Sequence, residues 1–158
     1  MDGGDIATRI EASIGTNAVM EGFFTGNLRE VPVSIEVGVD DTLHLCGMIG
    51  LEPGTMDLVP GGIEAESRRT MENIRLTIEA HGASMDDVVK CTVMLADISK
   101  WGTFHEIWRT FFNDRCPARS APGANGIALG ARVEVECIAV IERDRDRRCD
   151  PTGRRHDG

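Results

Sequence analysis

Apolar and polar positions begin to alternate regularly near Val33. The run SIEVGVD (34–40), a turn at Asp40–Asp41 and the apolar stretch TLHLCGMIGL (42–51) predict a β-hairpin. Gly47 lies inside the second arm, and an interior glycine in a strand marks a close approach of another group to the backbone. The Pro- and Gly-rich segment EPGTMDLVPGG (52–62) reads as a loop. From Gly62 to His81 no helix breaker follows the first residue, and Met71, Ile74 and Ile78 fall at i, i+3 and i+7, one face of a helix. Gly82 supplies the stop, and Ser84 with Asp87 three residues on has the form of a capping box. VVKCTVMLAD (88–97) is strand-like in β-branched content and length. Ser99 is placed to cap a second helix, on which Trp101, Phe104, Trp108 and Phe111 form an apolar stripe best explained by core packing.

Pro117 ends that helix. CPARS (116–120) suggests a short strand, APGANGIALG (121–130) a loop, and ARVEVECIAVI (131–141) a last alternating strand. Val133, Val135, Cys137 and Ile141 share one face of it. Glu134, Glu136, Ile138 and Val140 share the other, polar at one end and apolar at the other. The order β-β-α-β-α-β-β predicts an α+β domain, a mixed sheet with two helices on one face. The opposite face then needs a partner, and a second copy of the chain is the simplest one. Residues 1–30 have weak periodicity, although Ile6, Ile10 and Ile14 permit a short helix, and read as an N-terminal extension. The domain proper spans 31–142, and the charged segment 143–158 reads as a disordered tail.

At 158 residues and 41% hydrophobic composition the chain suits one globular domain. No apolar run reaches the roughly 18 residues of a membrane span, and the acidic start MDGGDIATRIEAS lacks the apolar core of a secretory signal. The net charge is −9, and residues 142–158 hold six arginines against five acids, +1, so the body carries −10. Such a body repels phosphate backbones, which argues against a nucleic-acid partner. Five cysteines (46, 91, 116, 137 and 149) form no CxxC pair. Cys46, Cys91 and Cys137 lie in apolar runs and are expected to be buried, reduced thiols of a cytoplasmic protein. None of the four histidines stands at metal-ligand spacing, so no metal site is expected.

Three stretches together resemble the RidA/YjgF family. GGIEAESRRTMENIRLTIEAHGASMDDVVKCTVMLADISKW is similar to its helix–turn–strand core, CPARSAPGANGIALGARVEVECIAV to its C-terminal signature, and LHLCGMIGL to its SGQ-bearing strand. The resemblance covers residues 31–141. It implies a chorismate-mutase-like fold, a homotrimer with sites between subunits, and hydrolysis of reactive enamines and imines to 2-oxo acids and ammonia without a cofactor. By motif position, Arg119 corresponds to the carboxylate-binding arginine, Gly47 to the SGQ glycine, and Glu134, fifteen residues after the arginine, to the glutamate that positions water. Other substrate-contacting positions depart from the pattern. The tyrosine of the active subgroup falls on Val33, in a chain with no tyrosine at all, the glutamine on Met48, the asparagine on His105 and a frequent cysteine on Ala121.

The chemistry of these residues suits the reading. A guanidinium grips a planar carboxylate through two parallel hydrogen bonds, which lysine cannot supply. A glutamate within reach of water could take its proton during attack on an imine carbon, and Glu136 on the same face is a substitute. Each residue also has a plainer explanation: Arg119 pairing with a surface acid, Glu134 on a solvated strand face, His105 a satisfied histidine beside the core. The departures leave two alternatives to the small-imine deaminase. One is a deaminase of a larger, 2-aminomuconate-like substrate, and the other a non-catalytic carboxylate-binding member. Ribonuclease activity, ascribed to some relatives, ranks last because the body has no basic groove.

Overall fold

The computed structural model describes residues 36–39, 41–112 and 115–141. The extension 1–30, Val33 and the tail 143–158 lie outside the described residues. Five strands and two α-helices follow in the expected order: β1 (Glu36–Val39), β2 (Thr42–Met48), α1 (Gly62–Ala80), β3 (Val88–Leu95), α2 (Trp101–Arg109), β4 (Ala118–Ser120) and β5 (Val133–Val140). The sheet order is β1-β2-β5-β3-β4. All pairings are antiparallel except β3 with β4, which are parallel because α2 crosses between them.

β5 sits at the centre, flanked by β2 and β3, and its alternation decides the layers. Val133, Val135, Cys137 and Ala139 turn inward and are buried, whereas Glu134, Glu136, Ile138 and Val140 turn to the opposite face. The inward face packs with Leu43, Leu45, Val93 and Leu95 against Met71, Ile74 and Ile78 of α1 and Phe104 and Trp108 of α2. The core therefore lies entirely between one sheet face and the helices, as the α+β expectation requires. The other face carries a concavity of about 260 Å³ lined in part by His44, Lys90, Thr92, Glu136 and Ile138.

Local chemistry explains the ends of the elements. Gly82, with φ 75°, adopts the left-handed conformation that halts α1. Ser84 and Asp87 complete a capping box, the backbone N–H of Ser84 donating to Asp87 Oδ2 at 2.8 Å. Ser99 is not the cap. Asp97 accepts from the Ser99 N–H at 3.0 Å and starts a 3₁₀ turn (Ile98–Lys100) that runs into α2. A carboxylate two residues upstream is the stronger acceptor, so it takes the orphan donor.

α1 buries more than its predicted apolar face. Glu66, Thr70, Asn73 and Thr77 form a second, polar stripe that is also buried. Asn73 Nδ2 donates to the carbonyls of Ile49 and Leu51, at 3.2 and 3.3 Å. Glu66 accepts from the Arg132 backbone N–H at 2.7 Å and from its guanidinium. Side chains of α1 thus satisfy backbone that leaves β2 and enters β5, which fixes both strands of the candidate site. The segment read as a loop closes on itself through a Leu51–Leu58 bridge.

Cys91 and Cys137 are buried as expected and face each other on β3 and β5, with sulfurs 3.1 Å apart. Their hydrogen bond and burial push the Cys137 thiol far up, so it stays protonated. Cys46 is only partly buried, and Cys116 is exposed. Among the described residues no helix is long and apolar enough to cross a membrane.

Candidate functional site

Arg119 is the middle residue of edge strand β4. Its pairing with Cys91 places it on the helix side of the sheet. Pro117 makes the preceding backbone extended, and α2 then receives the long side chain. The guanidinium carbon lies 4.3 Å from the centroid of the Trp108 ring and 5.3 Å from that of Trp101. Nη2 donates to Nδ1 of His105 at 3.1 Å. This assigns His105 the neutral tautomer with its lone pair on Nδ1. The imidazole is itself stacked on Trp101, with centroids 4.8 Å apart and planes 11° apart. Residues 101, 105 and 108 stand at i, i+4 and i+7, so one face of α2 forms an aromatic column along the arginine.

Nη1 of Arg119 is buried without a hydrogen-bond partner, and no acid among the described residues pairs with the guanidinium. Burial lowers its pKa, opposed by the neighbouring Cys91 and Cys116. Arginine stays charged at any working pH, so the site holds a partly desolvated cation with an unused donor. Among the described residues no surface acid pairs with Arg119, as the plainer explanation would require. An unpaired buried donor costs roughly 1–3 kcal/mol, which an anionic ligand would offset.

Glu134 and Gly47 form the second element. Register places Leu45 opposite Cys137 and Met48 opposite Val135, so two residues of β2, Cys46 and Gly47, bulge against the single Glu136. The Glu134 carboxylate folds directly over Gly47: a Cβ built there would stand 1.7 Å from Oε1. The close approach expected of Gly47 is therefore to the glutamate. Burial raises the Glu134 pKa, and the neighbouring charge of Glu136 raises it further. A base must be ionised to act, so activity depending on Glu134 is lost as pH falls through a pKa above the ordinary carboxylate value. Glu136→Gln removes the like charge and is expected to move the acidic limb of a kcat/KM profile to lower pH. A limb that stays in place would show that another group sets it.

The bulge also corrects one expectation. Met48, proposed to contact substrate, is only 4% exposed and packs in the hydrophobic core. The extra residue reverses the alternation, so Met48 points inward like Leu45 although it lies three positions further along the strand, an odd step. Val33 lies outside the described residues. The structure brings Arg119 to His105 and Glu134 to Gly47, but it does not bring the two pairs together. By register Arg119 shares the inward face with Cys91, whereas Glu134 shares the outward face with Glu136. Trp101 and Trp108, read from sequence as core, both contact the arginine, and their spacing with His105 was the available signal. Among the described residues no three His, Cys, Asp or Glu side chains come together as a metal cluster.

Comparison with known proteins agrees with this architecture. The family described as Endoribonuclease L-PSP matches residues 30–141. A mouse protein named 2-iminobutanoate/2-iminopropanoate deaminase is 41% identical over 109 residues, 69% of this chain and 81% of its own. RidA from an Antarctic Psychrobacter superposes with TM-score 0.68 at 34% identity, over 71% of this chain and 90% of that one. E. coli TdcF, solved with bound serine, has TM-score 0.66 at 26% identity, over 70% and 89%. The chain belongs to the RidA/YjgF family, the group that the Endoribonuclease L-PSP description covers.

Proposed function

We propose that this protein hydrolyses small 2-imino and 2-enamine carboxylic acids to 2-oxo acids and ammonia. The observation that carries the proposal is the buried Nη1 of Arg119, which has no hydrogen-bond partner, on a guanidinium that no acid among the described residues pairs with. The deaminase name of the mouse relative and the amino acid bound to TdcF support a carboxylate ligand. Nη1 and the second hydrogen of Nη2 form a two-pronged donor for the substrate carboxylate. Glu134, held over Gly47, takes a proton from water as its oxygen adds to the imine carbon. The nitrogen is protonated, the carbon–nitrogen bond breaks and ammonia leaves, giving the 2-oxo acid. The overall change is addition of one water and loss of one ammonia, and it needs no cofactor.

Because Arg119 and Glu134 occupy opposite faces of one sheet, a complete site requires Arg119 of one copy and Glu134 of another. The outward face of β5 is then the subunit contact of a homotrimer, with each site shared between neighbours. Refolding Arg119→Ala and Glu134→Gln chains together should restore activity that neither has alone. Continued inactivity of the mixed oligomer would place both residues in one subunit's site or in none.

The decisive assay is ammonia release from 2-aminoacrylate and 2-aminocrotonate generated in situ. A rate well above the spontaneous one is expected. A second reading, a carboxylate-binding member without turnover, is favoured by the imidazole at position 105 and the inward turn of Met48. Saturable carboxylate binding with no acceleration on any imine would select it.

A further inference from the structure

We propose that Trp101 is a platform for a flat, conjugated side chain of the substrate, so that the site prefers aromatic 2-imino acids and their enamine tautomers to the smallest ones. The inference rests on the reading of Arg119 as carboxylate anchor.

The aromatic stripe of α2 divides in two. Phe104 and Trp108 are buried, at 0% and 3% exposure, and serve the core, whereas Trp101 is 40% exposed. Its ring is nevertheless held in place by the near-parallel stack on His105, which is tied in turn to Arg119. A rigid, half-exposed indole next to a cation with a free donor is the arrangement expected of a ligand platform rather than of a core residue.

Distances decide what such a platform could reach. A carboxylate bound end-on to a guanidinium has its carbon about 4 Å from the guanidinium carbon. The Trp101 ring centroid is 5.3 Å from that same carbon. A methyl side chain, as in 2-iminopropanoate, ends too soon to cover an indole. The enamine tautomer of a phenylalanine-derived imine is conjugated from carboxylate through the double bond to the phenyl ring. It is therefore flat along its length and can lie against the indole while the carboxylate stays on Arg119. Offset stacking then adds to the apolar area removed from water.

The test uses unreactive acids, so it does not depend on turnover. Cinnamate is flat and conjugated from carboxylate to ring, and crotonate is the same acid with a methyl in place of the phenyl. Calorimetric titration of the intact protein should show cinnamate binding about 10-fold more tightly than crotonate. Trp101→Ala should bring the cinnamate-to-crotonate affinity ratio to about one, whatever it does to crotonate alone, while Trp101→Phe should keep most of the wild-type ratio. The platform is overturned if wild type binds the two acids equally, or if Trp101→Ala, with unchanged circular dichroism and oligomeric state, weakens both alike. If wild type binds neither acid, the carboxylate reading of Arg119 itself fails and takes the platform with it.

Discussion

Replacing Arg119 by lysine is expected to weaken binding of small carboxylates by about 10–100-fold, the range of one charge-assisted hydrogen bond lost from a fork. Charge is conserved in this variant, so the loss reports geometry. Lysine offers a single rotating ammonium where arginine offers two parallel donors. It also cannot reproduce the stack on Trp108 or the bond to His105 at 3.1 Å. The fold should survive, because Arg119 lies on the short edge strand β4 and is not part of the hydrophobic core. Calorimetric titration with crotonate, beside a thermal melt, would check both halves of the expectation. Unchanged affinity in the lysine variant would make the arginine a structural residue and remove the basis of the proposed reaction.

Gly47→Ala should lower kcat by roughly 100-fold, the lower end of what a positioned general base contributes, with little change in melting temperature. The two effects separate for a physical reason. The added methyl would stand 1.7 Å from Glu134 Oε1, so the carboxylate has to move. That carboxylate is the end of a flexible side chain on the outward face of β5, and moving it disturbs no core packing. No left-handed backbone is needed at residue 47 either, so alanine fits the main chain. Glu134→Gln should fall to a similar rate, and the double variant little further, because both changes remove the same base. An alanine variant with full activity would show that the glutamate's place over Gly47 is irrelevant to the chemistry.

Much of this protein was legible in the order of its residues. The period of Met71, Ile74 and Ile78, the Gly82 stop and the Ser84–Asp87 box are local signals, and α1 and the turn after it form where those signals put them. Alternation along Val133–Val140 likewise settled which side of β5 is core. The resemblance to the family, carried by PARS and the glutamate fifteen residues later, selected Arg119 and Glu134 as candidates, which their positions alone did not.

Other features depended on contacts between distant segments. The polar stripe of α1 is buried because backbone leaving β2 and entering β5 needs donors and acceptors there, a demand invisible in the helix's own pattern. Met48 turns inward because a bulge against Glu136 shifts the alternation by one residue, and bulges are set by cross-strand register. The column of Trp101, His105 and Trp108 became part of the site only when the β3–β4 crossover laid Arg119 along α2. The sequence by itself determined the order of the elements, the apolar face of α1 and the core face of β5, and its resemblance to the family singled out the two candidate residues. Only the tertiary structure decided that those two stand on opposite faces of one sheet, because facing is a matter of pairing register and not of separation along the chain.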